Sequence, residues 1–226
     1  MSFSLSRGRG YDTSGFGLEA EDLPAWDGAV LDPRCLFAAP DLPFELEIGS
    51  GKGTFLVQQG ALKQDTNFLG IEWSREFFRY AADRARRNQL SNVRLLHDNG
   101  REFLQHKCAA GVVDVLHLYF TDPWPKTRHH KRRVVQDETM AHMHRVLKPG
   151  GVVHLVTDHV DLWAWYKDHA ERHTHLFEHQ PFSPPASAGE GEVVGTNFER
   201  KYRREGRAFH AMSLFMRSDE ESSNAS

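Results

Sequence analysis

From residue 44 onward, short apolar runs alternate with segments of helical spacing, and this alternation limits the chain to one broad architecture. Residues 44–48, 67–72, 93–96, 112–120 and 152–156 read as strands, with two more at 176–180 and 208–216. Residues 54–61, 74–88, 101–106, 135–147 and 160–173 carry helical spacing. Ser74 stands where an N-cap belongs, and the Lys148-Pro-Gly-Gly151 turn stops the fourth helix. Strands that return parallel through helices cross over right-handed. The pattern therefore predicts an α/β fold, a mostly parallel sheet covered by helices on both faces. A chain of 226 residues fills one large domain with a complete core and is short for two.

The ends differ from this body. Residues 1–40 are rich in Gly, Ser, Pro and Asp with weak periodicity, and are expected to form an irregular, partly disordered arm. The alternating body, 41–217, is expected to be the folded domain, and the acidic SDEESSNAS segment at 218–226 a disordered tail. A Pro/Ser/Gly-rich loop occupies 181–195, and no internal repeat is found.

No stretch approaches the roughly 20 apolar residues that span a bilayer, and MSFSLSRGRGYDTSGFG has no apolar core of a secretory signal. Cys35 and Cys108 form no CxxC pair, which points to a reducing compartment, the cytoplasm. Net charge is −3, yet basic residues cluster: 126–133 holds five Lys/Arg and no acid, and 200–207 holds five with one Glu. Two basic patches on a mildly acidic body imply a polyanion docking on one surface, against the alternative of solvated faces.

Glu47-Ile-Gly49-Ser-Gly51-Lys-Gly53 follows a strand and opens a helix, where ligands of open α/β sheets sit. A phosphate-cradling P-loop requires GxxxxGK and then Ser or Thr, but Leu46 and Gly53 occupy those positions. A dinucleotide GxGxxG fails at Thr54. What remains is a GxGxG loop preceded by an acid, similar to the first motif of class I methyltransferases. Their sulfonium cofactor has no phosphates, so Glu47 is tolerable beside it and would repel a pyrophosphate. Glu72, 21 residues after Gly51 and ending the second strand, is placed to accept ribose hydroxyls. Asp98-Asn99-Gly100 follows the third strand, where a polar side chain reaches an adenine amino group or simply caps a helix.

Leu118-Tyr-Phe-Thr-Asp122-Pro-Trp-Pro-Lys126 brings an acid, a Pro-fixed turn, an aromatic and a Lys to the same edge. Taken in order, EIGSGKG, GIEWS, YFTDPWPK with RHHKRR, VTD and TNFERKYRREG resemble the bacterial tRNA (guanine-N7-)-methyltransferase family, TrmB, over about residues 44 to 216. The resemblance implies a Rossmann-like class I methyltransferase fold with an antiparallel C-terminal strand. It implies an enzyme that moves a methyl group from S-adenosyl-L-methionine to N7 of a variable-loop guanine in tRNA. It places Glu47, Gly49, Gly51, Gly53, Glu72, Asn99 and Asp122 around the cofactor, with Asp122 also catalytic. Lys126, Asp158, Thr196, Asn197, Phe198 and Glu199 would contact the target nucleotide, and Lys131, Arg132 and Arg133, on a basic helix, the RNA phosphates. Asn99 stands where relatives usually carry Asp, and Thr121 where they carry Pro, which is expected to loosen the turn.

Guanine N7 has an in-plane lone pair, so no proton has to leave before it attacks a methyl group. Asp122 then serves either to stabilise charge developing on the purine or to accept guanine N1–H and N2 hydrogen bonds; selection and positioning is the favoured role. The variable-loop base is expected to be exposed at an unstacking cost of a few kcal/mol. Arg7 and Arg9 leave the N-terminal arm able to touch RNA. His169 and His173 share a helical face without a third ligand, and no metal is expected. Trp163 and Trp165 are expected to pack their helix. The other readings are an NAD-dependent oxidoreductase and a non-catalytic RNA-binding domain. A monomer and a homodimer both suit the sequence.

Overall fold

The computed structural model describes residues 10–23 and 30–217. Its strands are β1 (Gly17–Glu19), β2 (Phe44–Ile48), β3 (Asn67–Glu72), β4 (Val93–His97), β5 (Val113–Tyr119), β6 (Leu147–Thr157), β7 (Phe177–Gln180) and β8 (His210–Met216). They form one sheet in the order β1-β4-β3-β2-β5-β6-β8-β7. Every pairing from β1 to β6 is parallel, while β8 runs antiparallel to both β6 and β7. This is the Rossmann-like class I arrangement. Because β2 is flanked by β3 and β5, the chain reverses its direction of travel there, and a crevice opens over the carboxyl ends of those strands.

The helices are α1 (Thr54–Leu62), α2 (Arg75–Arg87), the single turn α3 (Gly100–Glu102), α4 (Asp137–Val146), α5 (Val160–Arg172) and α6 (Asn197–Arg204). Alternation along each strand sorts the core into two layers. Leu46, Ile48, Leu116, Leu118, Val153 and Leu155 meet Met140, Met143 and Val146 of α4 and Leu162 and Tyr166 of α5. On the opposite face, Phe68, Leu95, Tyr119 and Val156 meet Phe55 and Leu56 of α1 and Phe78, Ala81 and Ala82 of α2. The 181–195 loop crosses this second face, where Gln59 Nε2 donates to Ser187 Oγ at 2.6 Å. Among the described residues no helix is long and apolar enough to cross a membrane.

Four features depart from the expectations. The arm is not wholly irregular, since β1 adds a parallel edge strand through Gly17↔Leu95 to Glu19↔His97. The 148–151 turn loops out within β6: Val113 pairs with Leu147 and Val115 with Val152, with Gly150 at φ 78°. The basic segment is a 3-10 turn, Thr127–Arg132, in place of a helix. Helix α4 accordingly starts only at Asp137, after Gln136, whose N–H donates to Thr139 Oγ1 at 2.8 Å. Helix α6 arises in a segment where the sequence pattern predicts no helix; Thr196 caps it, its side chain accepting the Glu199 N–H at 3.2 Å. Arg7, Arg9 and the 218–226 tail lie outside the described residues.

Candidate active site at the carboxyl edge of the sheet

The glycine loop leaves β2 with three left-handed residues, Gly49 (φ 80°), Gly51 (φ 52°) and Gly53 (φ 62°). At Gly53 a side chain is excluded twice, because its Cβ would lie 2.9 Å from Ala81 Cβ of α2 in a conformation that L-residues avoid. Gly51 has open space around its missing Cβ, and its N–H donates to Glu72 Oε2 at 2.7 Å. Glu72 Oε1 accepts the Ser74 N–H at 2.8 Å. One carboxylate at the end of β3 thus ties down the loop after β2. Ser74 stands at the N-cap of α2 as expected, although its own side chain makes no capping bond.

Both acids are out of water. Glu47 is 4% exposed, and its Oε2 has no hydrogen-bond partner. Burial, together with the charge of Glu72, pushes its pKa up to about 8. Burial also raises Glu72, joined by the charge of Asp122, against the lowering effect of the Ser74 and Gly51 N–H groups. Two carboxyls with an unsatisfied buried oxygen are poorly matched to a phosphate and well matched to a cation or hydroxyl donors.

Behind them a third acid, Glu45, is fully partnered. Glu45 takes His117 Nε2 at 2.8 Å and Lys63 Nζ at 3.0 Å, and His117 Nδ1 meets Tyr119 Oη at 2.8 Å. Burial alone would raise Glu45; the hydrogen bond and charge of His117, helped by Lys63, outweigh it and bring the pKa down to about 2. These groups line a cavity of about 250 Å³ together with residues 183–186. Sequence reasoning missed this set, because the alternation of 44–48 ordinarily turns its polar face to solvent.

Asn99 caps α3, its Oδ1 accepting the Arg101 N–H at 3.0 Å and its Nδ2 approaching Glu102 Oε1 at 3.3 Å. Asp98 instead pairs with Lys107 Nζ at 2.7 Å. Across the crevice Asp122 is exposed on a loop whose Phe120 (φ 54°) and Trp124 (φ 42°) are both left-handed. Thr121, expected to loosen this turn, hydrogen-bonds through Oγ1 to the buried Tyr166 Oη at 2.9 Å. Tyr166 thus holds the loop, while Trp165 packs and donates Nε1–H to Val135 O at 2.8 Å and Trp163 stacks on His210.

Among the basic residues, Lys126, Lys131 and Arg132 are exposed, and the Arg132 guanidinium lies 4.8 Å from the Trp124 ring centre. Arg133 corrects the expectation. It is 1% exposed and turned inward, its Nε donating to Pro123 O at 2.9 Å and its guanidinium 4.9 Å from the Trp165 ring centre. A phosphate has no access to it. The signal in the sequence was its position as the last residue of the basic run, against the apolar Val134-Val135.

The residues expected at the target nucleotide divide likewise. Asn197 is exposed, and Phe198 packs on Phe120 with ring centres 4.8 Å apart. Glu199 is fully buried and saturated, accepting the N–H groups of Val193, Val194 and Gly195 at 2.6, 2.8 and 2.9 Å and Arg203 Nη2 at 2.7 Å. Burial opposes its ionisation, but these donors prevail and hold its pKa below the usual value. These bonds latch the 181–195 loop to α6, and Thr196 is the buried cap beside it. Asp158 is paired with Arg207 Nη1 at 2.5 Å, and that guanidinium lies 3.7 Å from the Tyr202 ring centre. Among the described residues no group of three His, Cys, Asp or Glu side chains is arranged to hold a metal ion.

Comparison with known proteins bears on the same region. A sequence model of the family described as "Putative methyltransferase" matches residues 41–212. A tRNA (guanine-N(7)-)-methyltransferase of Alkalilimnicola ehrlichii is 36% identical over 84% of this chain and 78% of the relative. One of Corynebacterium glutamicum is 35% identical over 63% of this chain, a match that spans 56% of that relative's length. Among solved structures, the aminoglycoside resistance methyltransferase NpmB1 superposes with a TM-score of 0.55 at 16% identity, over 77% of this chain and 87% of that one. This last likeness concerns the fold alone.

Proposed function

Because the chain belongs to the tRNA (guanine-N7-)-methyltransferase family, we propose that it transfers a methyl group from S-adenosyl-L-methionine to N7 of a guanine in tRNA. The observation that carries this reading is the junction at the switch point. There, a buried, partly unsatisfied carboxyl pair beside a glycine loop faces an exposed acid on a rigid loop. The cofactor, when bound, supplies an electrophilic methyl on a cationic sulfur. Glu47 and Glu72 would hold its positive and hydroxyl groups, with Gly49, Gly51 and Gly53 giving the backbone room and Asn99 the adenine edge. A carboxyl pair with an unsatisfied oxygen presents acceptors where a dinucleotide's pyrophosphate needs donors, which disfavours an oxidoreductase.

Asp122, solvent-exposed, would accept hydrogen bonds from guanine N1–H and the N2 amine and so select guanine over adenine. N7 attacks with its own lone pair, so the protein needs to provide alignment and no obligatory base. Lys126 and Asn197 border the place a base would enter, and Lys131 and Arg132 would take phosphates. Asp158 would meet the nucleotide after release from Arg207.

The test is incubation of unmodified tRNA with labelled cofactor, followed by nucleoside analysis. The wild type should yield N7-methylguanosine. Asp122→Ala should lose about 10³-fold or more in turnover while cofactor affinity stays within about threefold. Normal methylation by that variant would refute the assignment of Asp122; no labelled N7-methylguanosine from the wild type would refute the function.

A further inference from the structure

We propose that Arg133 is a positioning residue for methyl transfer: its buried guanidinium fixes the backbone of the Asp122 loop and takes no part in binding RNA. This rests on the reading of Asp122 as the group that engages guanine.

The environment of Arg133 is unlike that of its neighbours. Lys131 and Arg132 are exposed, whereas Arg133 is 1% exposed. A buried guanidinium is costly to desolvate and persists where its partners are fixed. Its Nε donates to Pro123 O at 2.9 Å, the carbonyl that follows Asp122. Its flat face covers the Trp165 ring at 4.9 Å, and its Nη2 lies 3.8 Å from Asp161 Oδ2, beyond hydrogen-bond range. Burial accordingly lowers its pKa, with the charge of Asp161 opposing.

The loop needs such a clamp. Phe120 and Trp124 flank Asp122 in left-handed conformations, and bulky residues stay there only when the surroundings over-determine them. Two bonds bracket the acid: Thr121 Oγ1 to Tyr166 Oη on one side and Pro123 O to Arg133 on the other. Both anchors are buried, and neither touches the Asp122 carboxylate, which stays exposed for a substrate. Arg132 adds a lid of charge over Trp124 from the solvent side. The adjacent arginines therefore divide the labour, one facing inward to the loop backbone and one facing outward.

The two roles open to Arg133 give opposite kinetics. In the full chain, Arg133→Met should lower kcat about 10²-fold, the scale of an ångström-sized misplacement. Its tRNA affinity, the salt dependence of that affinity and its cofactor affinity should stay within about twofold. Arg133→Lys should recover part of kcat, since an ammonium can still donate to Pro123 O but cannot cover Trp165 as a plane does. A phosphate ligand predicts the reverse: intact kcat, weaker tRNA binding and a salt slope smaller by about one. That result overturns the proposal. Should Arg133→Met not fold, Tyr166→Phe removes only the opposite bracket and should cut kcat about fivefold with tRNA affinity unchanged; an unaltered kcat there, with Arg133→Lys also normal, overturns it as well. A readout free of catalysis separates this idea from the functional one. In protein labelled with 5-fluorotryptophan, the Trp124 fluorine signal, assigned through Trp124→Phe, should shift in Arg133→Lys. If the wild type failed to methylate guanine while that signal moved, the function would fall and the clamp stand; a signal that does not move removes the clamp.

Discussion

The two walls of the crevice are held by different means. On the cofactor wall the fixing is local: Glu72, at the end of one strand, binds the N–H groups of Gly51 and Ser74 and so ties the neighbouring loop and the next helix together. On the base wall the fixing is remote, through Tyr166 from α5 and Arg133 from beyond the 3-10 turn. The first wall buries its acids, leaving Glu47 Oε2 unsatisfied; the second leaves its acid in solvent. A site of the first kind is prepared to take a cation out of water. The second is prepared to hold an edge against a base that arrives from outside. Under the proposed function, binding and selection fall to separate elements, and the charge of Asp122 is one of the influences that raise Glu72.

The sharpest way to break this comparison is Glu72→Ala. The substitution removes a carboxylate that organises two backbone donors, and charged hydrogen bonds contribute roughly 1.5–3 kcal/mol each. We expect cofactor affinity to fall about 100-fold, read by calorimetry, with tRNA affinity changed by less than about threefold. Comparable losses in both affinities would show that the walls are one unit.

Much of the cofactor wall was legible in the sequence and little of the base wall's support was. Glycines with positive φ, a strand ending in an acid and a helix start are local signals, so Glu47-to-Gly53 and Glu72 were found where they stand. Strand β1 escaped because Gly17-Leu-Glu19 has no periodicity and forms only by pairing with distant Leu95 to His97. Helix α6 escaped because its pattern is dominated by charge; only Phe198 and Tyr202, four apart, pack, and the Thr196 cap and the Glu199–Arg203 pair do the rest. Arg133, read with the basic run as a phosphate contact, is buried. A run of charges reads as solvated, and only the apolar Val134-Val135 that follows it marks the member that tertiary packing turns inward. Thr121 shows the converse: its loss of proline stiffness is offset by a hydroxyl bond to Tyr166 that no local pattern discloses.

A pH profile sharpens the comparison next. In the free protein, burial and Glu72 hold the Glu47 pKa up at about 8, so at neutral pH it retains a proton. A cationic ligand favours the carboxylate, so binding releases that proton and affinity should rise with pH, up to about tenfold per unit, until pH passes about 8. Glu72, also raised, adds in the same direction. Folding has the opposite sign. The folded pKa lies above the unfolded one, so this contribution to stability is complete below about 4.5 and is lost as pH rises through about 8. Calorimetry in two buffers of different ionisation enthalpy should detect the proton release, and Glu47→Gln should flatten both the affinity profile and the fall in melting temperature. Profiles as steep as those of the wild type would place the titration elsewhere.

The smallest expected effect concerns the outer rim, where the base wall meets RNA. Lys131 is exposed, and its side chain, unlike that of Arg133, is free to meet a phosphate. An exposed cation contributes through counterion release, so Lys131→Ala should weaken tRNA binding only about threefold to tenfold near physiological salt. The plot of log affinity against log salt should lose about one unit of slope, and kcat should not change. This is the inverse of the pattern expected for Arg133→Met, two positions along the chain. Filter binding across a salt series measures both variants under one set of conditions. If Lys131→Ala lowered kcat and left the slope intact, the division of the basic segment into an inward clamp and an outward rim would be lost. The two walls would then have to be reconsidered as jointly responsive to the RNA.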